Sequence, residues 1–134
     1  MMKLHIDIEK KLGAFSLQVK ADVSGERTGI FGESGSGKST LMHLVSGLML
    51  PDRGEIILDD QCLFSSLKNI NISAAQRRIA IVFQQAMLFP HLSVRANLLY
   101  GFKRCHTENR LIKPETLIER LKLQPLLQLS LIHI

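Results

Sequence analysis

Cysteine is scarce in this 134-residue chain: there are two, Cys62 and Cys105. They have no CxxC spacing and no neighbouring histidine pair, which argues against a disulfide framework and against a zinc site, and fits free thiols in a reducing compartment. The five histidines are scattered, and none has a ligand partner one helical turn away. No apolar run is long enough to span a bilayer. The first residues pass directly into alternating charged and apolar positions, unlike a secretory leader, so the expectation is a soluble chain that can rest on a membrane protein. Glycine and proline are ordinary in number at 9 and 4, which excludes collagen-like and low-complexity classes. There is no internal repeat. The charge excess is mild at +5. A solvated basic face or a phosphate ligand accounts for it without nucleic acid.

What is present is a globular composition, with 46% of residues apolar and enough length for one small core. Leu4, Ile6 and Ile8 alternate with charged residues, and Phe15, Leu17 and Val19 alternate after a turn over 10–13. This pattern predicts an antiparallel hairpin closed by a second turn at 24–26. Arg27 to Phe31 reads as a short strand running into a glycine-rich stretch. Leu41, Leu44, Val45 and Leu48 then recur at helical spacing over about 38–48. A strand is expected at 55–58, and a continuous β-branched and aromatic run at 79–83 reads as a buried strand. Helices are expected at 93–102, capped by Ser93, and at 114–123, with Pro114 at its favoured first position. Gln76, Arg77 and Arg78 read as a solvated turn, and 103–113 as a polar connection.

The informative segment is Gly32-Glu33-Ser34-Gly35-Ser36-Gly37-Lys38-Ser39, followed by Thr40. It fits the phosphate-binding pattern GxxxxGK[ST] in strand–loop–helix context. Close wrapping around anionic oxygens needs backbone N–H groups turned inward and glycines that keep Cβ atoms away. The helix N-terminus adds partial positive charge and unpaired donors. Lys38 supplies a point charge for the β- and γ-phosphates, Ser39 a hydroxyl for Mg²⁺, and Thr40 reaches toward the α-phosphate. Glu33 enters through its backbone, its side chain being expected toward solvent. Ile56-Ile57-Leu58-Asp59-Asp60 imitates an acidic Mg²⁺ strand, but it lies so close behind Lys38 that paired aspartates in a turn are the better reading. Gln84 falls at the end of the expected buried strand, where open α/β sheets bind ligands. The apolar Met87-Leu88-Phe89-Pro90 after it is unusual for a loop and suggests a docking surface.

These residues resemble the ATP-binding-cassette (ABC) ATPases. Gly32 to Leu41 is similar to that family's Walker A segment. Ser46-Gly47-Leu48 and Pro51-Asp52-Arg53-Gly54-Glu55-Ile56 are similar to its continuation. Val82-Phe83-Gln84-Gln85 with Leu88-Phe89-Pro90-His91-Leu92-Ser93-Val94 resembles its Q-loop region. Within the family, the short hairpin loop, Arg77-Arg78-Ile79 and the segment 94–101 look most like the ATP-binding subunit of molybdate importers, and sulfate, iron and polyamine importers share much of the same text.

The resemblance implies an α/β fold: a P-loop NTPase (ABC ATPase) core with an N-terminal antiparallel β-hairpin, a mixed but incomplete central sheet, and the start of a helical subdomain. It implies a partition into a nucleotide-binding core at 1–92, the opening of the helical subdomain at 93–128, and a tail at 129–134 outside the family pattern. The implied ligands are ATP and Mg²⁺, with the metal at Ser39 and Gln84, and the implied catalytic residues are Lys38 and Gln84. The implied partners are transmembrane permease subunits, a second copy in a head-to-tail homodimer and, indirectly, a periplasmic solute-binding protein. Nucleic acid is not among them. The implied place is the cytoplasmic face of the bacterial inner membrane, as a peripheral subunit.

Three departures stand out. Leu12-Gly13 occupies the place of an aromatic-glycine pair that stacks on adenine in many members, with Phe15 a candidate substitute. Asp60 replaces a common glycine. The LSGGQ signature, the late Asp-Glu strand and the switch histidine do not occur, so a truncated reading frame is expected, with low stability and no ATP turnover by this chain alone. A non-hydrolysing nucleotide-binding fragment and an unrelated P-loop small-molecule kinase remain the alternatives.

Overall fold

In the computed structural model, residues 1–105, 110 and 112–130 are described. The chain divides into two compact units, 1–82 and 83–134.

The first unit is built on five antiparallel strands in the order β2-β1-β3-β4-β5. The N-terminal hairpin is longer than its alternation predicts. β1 (Met2–Leu12) and β2 (Phe15–Gly25) pair from Met2↔Gly25 to Leu12↔Phe15, leaving Gly13 and Ala14 as a two-residue turn. The residues expected as flanking turns, 10–12 and 24–25, therefore lie within the ladder, because cross-strand pairing continues past the apolar alternation. β3 (Arg53–Leu58) adds to the other edge of β1 in the register Ile6↔Ile56.

Asp59 and Asp60, both with positive φ (45° and 68°), turn the chain into β4 (Gln61–Ser65). Two left-handed residues in a two-residue connection are the hairpin geometry that matches strand twist. Asp59 Oδ1 also accepts from the Lys3 N–H at 2.7 Å. The paired aspartates are thus turn residues, as their spacing suggests. A register shift at Ile56/Ile57 leaves Leu63 without a direct partner, a β-bulge that turns both Leu63 and Phe64 inward. A short β5 (Ile70–Asn71) completes the sheet.

α1 (Lys38–Ser46) contributes Leu44 to the core. That core joins Ile6, Ile8, Leu17, Leu44, Ile56, Leu63 and Phe64, with Leu41, Val45 and Met49 packed against it. At about 25 cal/mol per Å², such burial is the main stabilising term here.

Two expected strands are not strands, and the sheet is antiparallel rather than mixed. Residues 27–31 and 79–83 are not assigned to any strand. Phe31 is 94% and Val82 98% exposed. A continuous apolar run forms a buried strand only when neighbours pair its backbone and cover both faces; Ile79 packs against the core, but Phe31 and Val82 are left uncovered. The antiparallel sheet with its N-terminal hairpin, the phosphate-loop helix and few other helices fits an incomplete P-loop ATPase core.

In the second unit, α2 (Val94–Arg104) begins at Ser93, whose Oγ accepts from the Ala96 N–H at 3.2 Å, the cap its sequence suggests. The carbonyls of Leu129 and Leu127 accept from Val94 and Arg95 N–H, both at 3.1 Å. The first-turn donors that a helix cannot satisfy internally are thereby paired. α3 (Pro114–Arg120) carries buried Pro114 at its start and buried Ile118, and a 3₁₀ turn follows at Gln124–Leu126. Of the expected polar connection at 103–113, residues 103 and 104 belong to the end of α2, and 106–109 and 111 lie outside the described residues, as do the tail residues 131–134. No helix among the described residues is long and apolar enough to cross a membrane.

Candidate functional site: a phosphate loop at the start of α1

Residues 32–37 form a turn that delivers the chain into α1. Ser36 N–H donates to the Glu33 carbonyl at 3.3 Å, closing the turn, and the Leu41 N–H donates to the Gly37 carbonyl at 2.8 Å, opening the helix. Gly37 is the N-cap at φ 94° and ψ 11°. A Cβ there would sit 2.9 Å from Leu17 Cδ1 and 3.3 Å from Phe15 Cζ. Both the left-handed backbone and the closeness of the hairpin therefore require glycine. The hairpin tip thus packs beside the loop and brings the exposed ring of Phe15 against it.

Lys38 is folded back into its own loop. Its Nζ donates to the Gly32 carbonyl at 2.8 Å, to the Glu33 carbonyl at 2.6 Å and to Ser36 Oγ at 3.4 Å. The ammonium is therefore held inside the curve of residues 32–36. Ser39 and Thr40 occupy the first turn of α1, whose N–H groups lack intrahelical acceptors. Gly32, Ser34, Gly35 and Ser36 are exposed along the loop, as is Glu33, which acts through its carbonyl in both recorded bonds.

A cation, a row of unpaired amides at a helix N-terminus and a hydroxyl in the first turn form a donor set of the right sign and kind for polyphosphate. A magnesium-bound nucleoside triphosphate fits this chemistry. The loop residues and Lys38 are brought together by the structure. Gln84 lies in the other compact unit, at an exposed bend rather than at the end of a strand.

The sequence reading missed Arg77. It is not in a solvated turn but 3% exposed, bonded to the C-terminal carbonyls of α1. An Arg-Arg pair in polar text carries no periodic signal that separates a buried arginine from a surface one. Asn97 was equally silent. It accepts from the Phe89 N–H at 2.8 Å and donates to the carbonyls of Phe89, Leu92 and Ser93 at 3.1–3.3 Å. Phe89 stacks on Tyr100 with centroids 4.3 Å apart, and the Arg104 guanidinium lies 3.7 Å over the Tyr100 ring. The apolar loop after Gln84 is therefore a shaped segment with Met87 and Leu88 exposed.

Comparison with known proteins agrees with this arrangement. The ABC transporter family model matches residues 14–131. The molybdenum import ATP-binding protein ModC of Mannheimia succiniciproducens is 48% identical over 115 residues, covering 84% of this chain and 33% of that protein. ModC of Rhodospirillum rubrum is 37% identical over 124 residues, covering 92% and 34%. ModC of Shewanella oneidensis is 48% identical over 101 residues, covering 75% and 28%. The chain thus spans about a third of the length of these relatives. With the family model covering most of its residues and the phosphate loop folded at the head of α1, the chain belongs to the ABC transporter family.

Proposed function

We propose that this chain is the nucleotide-gripping front of the ATPase subunit of an ABC importer, with molybdate as the transported oxyanion. The observation that carries the reading is the Lys38 ammonium held inside loop 32–36 at the head of α1. The backbone amides of Gly32, Glu33, Ser34, Gly35, Ser36 and Gly37 surround the phosphates, with Lys38 as the counter-charge. Ser39 and Gln84 would supply oxygens for Mg²⁺, and Thr40 would serve the phosphate nearest the ribose. Phe15, beside Gly37, offers the ring that Leu12 does not. The nucleotide, when bound, supplies the free energy of its phosphoanhydride bond, and the metal disperses the charge of the triphosphate.

In this reading residues 1–92 belong to the nucleotide-binding core and 93–128 open the helical subdomain. The partners are permease subunits, a second ATPase copy arranged head to tail and, through the permease, a periplasmic solute-binding protein. The place is the cytoplasmic face of the inner membrane. Molybdate is favoured because each of the relatives described is a molybdenum import protein.

Titration with a fluorescent MgATP analogue tests the binding. A charge-assisted contact is worth roughly 1.5–3 kcal/mol, so Lys38→Ala is expected to weaken affinity by at least about tenfold. Affinity that does not change on removing Lys38 refutes the reading. Molybdate-limited growth of a strain lacking the gene tests the substrate, and an unaltered molybdate requirement removes that assignment.

A further inference from the structure

Arg77 is a buried cation whose recorded partners are all neutral oxygens. Nη1 donates to the carbonyls of Leu44 and Val45, each at 2.9 Å, and Nε donates to the carbonyl of Ile72 at 2.8 Å. Nη2 donates to Asn71 Oδ1 at 3.3 Å. Burial pulls its pKa below the ordinary guanidinium range, yet the group stays protonated at any working pH. A cation removed from water needs compensation. Here it comes from the negative end of the α1 dipole and from carbonyls of the last helical turn, of which that of Leu44 also accepts from the Gly47 N–H at 3.2 Å. The planar fork lets one side chain tie the end of α1 to the segment after β5, which a lysine cannot do. Gly47, just past the helix, lies directly beneath it, since a Cβ there would be 2.7 Å from Nε.

The opposite end of α1 carries Lys38 and the phosphate loop. A nine-residue helix is a rigid rod of about 13 Å. Leu44 is its one fully buried hydrophobic side chain, with Leu41 and Val45 packed beside it against the core, and Arg77 adds a polar restraint at the C-terminal end. A tilt of about 10° about Leu44 would move the start of the helix at Lys38 by about 1.5 Å, given the 1.5 Å rise per residue. Displacements of that size matter where several donors must converge on one ligand.

We propose that Arg77 is a positioning residue for the phosphate loop: by clamping the far end of α1 it fixes where the Lys38 ammonium and the first-turn amides point. The proposal rests on the reading of loop 32–39 as a polyphosphate site.

The test compares wild type with Arg77→Met, Arg77→Lys and Asn71→Ala, below each variant's thermal transition. MgATP and AMP affinities are measured by titration, and amide hydrogen exchange is followed over residues 32–40. Arg77→Met is expected to lose about tenfold in MgATP affinity while AMP affinity changes less than about twofold. Exchange at 32–40 should quicken. Arg77→Lys should fail to rescue, and Asn71→Ala should shift the ATP-to-AMP ratio in the same direction by a smaller factor. A purely structural role would lower the folded fraction and leave that ratio intact. A folded Arg77→Met with the wild-type ratio overturns the proposal. If Arg77→Met does not fold, wild-type ratios in both other variants overturn it. Lys38→Ala separates the two failures: wild-type binding that ignores Lys38 overturns the polyphosphate reading and this proposal together, whereas Lys38-dependent binding with an unmoved ratio overturns the role of Arg77 alone.

Discussion

Replacing Asn97 should release the loop after Gln84 without unfolding the rest of the chain. Its side chain accepts from the Phe89 N–H at 2.8 Å and donates to three carbonyls, those of Phe89, Leu92 and Ser93, at 3.1–3.3 Å. A neutral hydrogen bond contributes about 1 kcal/mol net. The three carbonyls share one amide nitrogen, so four contacts amount to about 2–3 kcal/mol rather than four full bonds. The loop is exposed, and water can replace what is lost, which places Asn97→Ala near the lower figure. At about 1.4 kcal/mol per factor of ten, 2 kcal/mol is about a thirtyfold loss of hydrogen-exchange protection at Phe89 and Leu92.

Asn97→Asp sharpens the test. It keeps an acceptor for the Phe89 N–H but sets a carboxylate against three carbonyl oxygens. It should open the loop at least as far as alanine does, although it is nearly isosteric. Exchange resolved to residues 86–97, with β1 as an internal reference, reads both variants. Aspartate behaving like wild type would show that the Phe89 N–H contact alone holds the loop, and the argument from the donated bonds would be refuted.

The other predictions concern the first unit. Gly54→Ala should destabilise by about 3–5 kcal/mol, the range of severe steric lesions. Gly54 has φ 107°, and its Cβ would overlap the Asp7 carbonyl in the β1–β3 ladder. Gly13→Ala, at a hairpin tip with φ 59° and open space around it, should cost only about 1–2 kcal/mol. Urea midpoints check the difference, and equal losses would refute it.

Asp52 governs part of the acid response. Its Oδ1 accepts from Lys10 Nζ at 2.7 Å and its Oδ2 from the Lys11 N–H at 2.8 Å. These bonds hold the carboxyl below the usual carboxylate range. The folded state thus favours the ionised form. The contribution is complete above the unfolded pKa of about 4 and disappears as pH falls through the lower folded value. Asp52→Asn should therefore lose stability at neutral pH and show a shallower acid limb in thermal melts. An acid limb of unchanged slope would remove Asp52 from that account.

The parts of this fold that could be read from sequence are those whose causes are local. The hairpin announces itself by alternation, α1 by its apolar spacing behind a glycine-rich loop, α2 by the Ser93 cap and α3 by Pro114. The phosphate loop was legible because its chemistry needs contiguous residues. Arg77 was not, because its role depends on acceptors more than thirty residues away at Leu44 and Val45. The bulge that buries Leu63 beside Phe64 defeats simple alternation. Residues 79–83 show the reverse error: β-branched text states a preference for extended backbone, but a strand needs a neighbour, and Val82 stands almost wholly in solvent.

The looped-back posture of Lys38 also bears on how any anion is received. Its ammonium is already held by the Gly32 and Glu33 carbonyls, so side-chain freedom worth up to about 2 kcal/mol is surrendered during folding instead of at capture. An arriving phosphate trades places with carbonyl oxygens at a charge that is already parked. The enthalpy of that contact should therefore be small, with the entropic penalty smaller still.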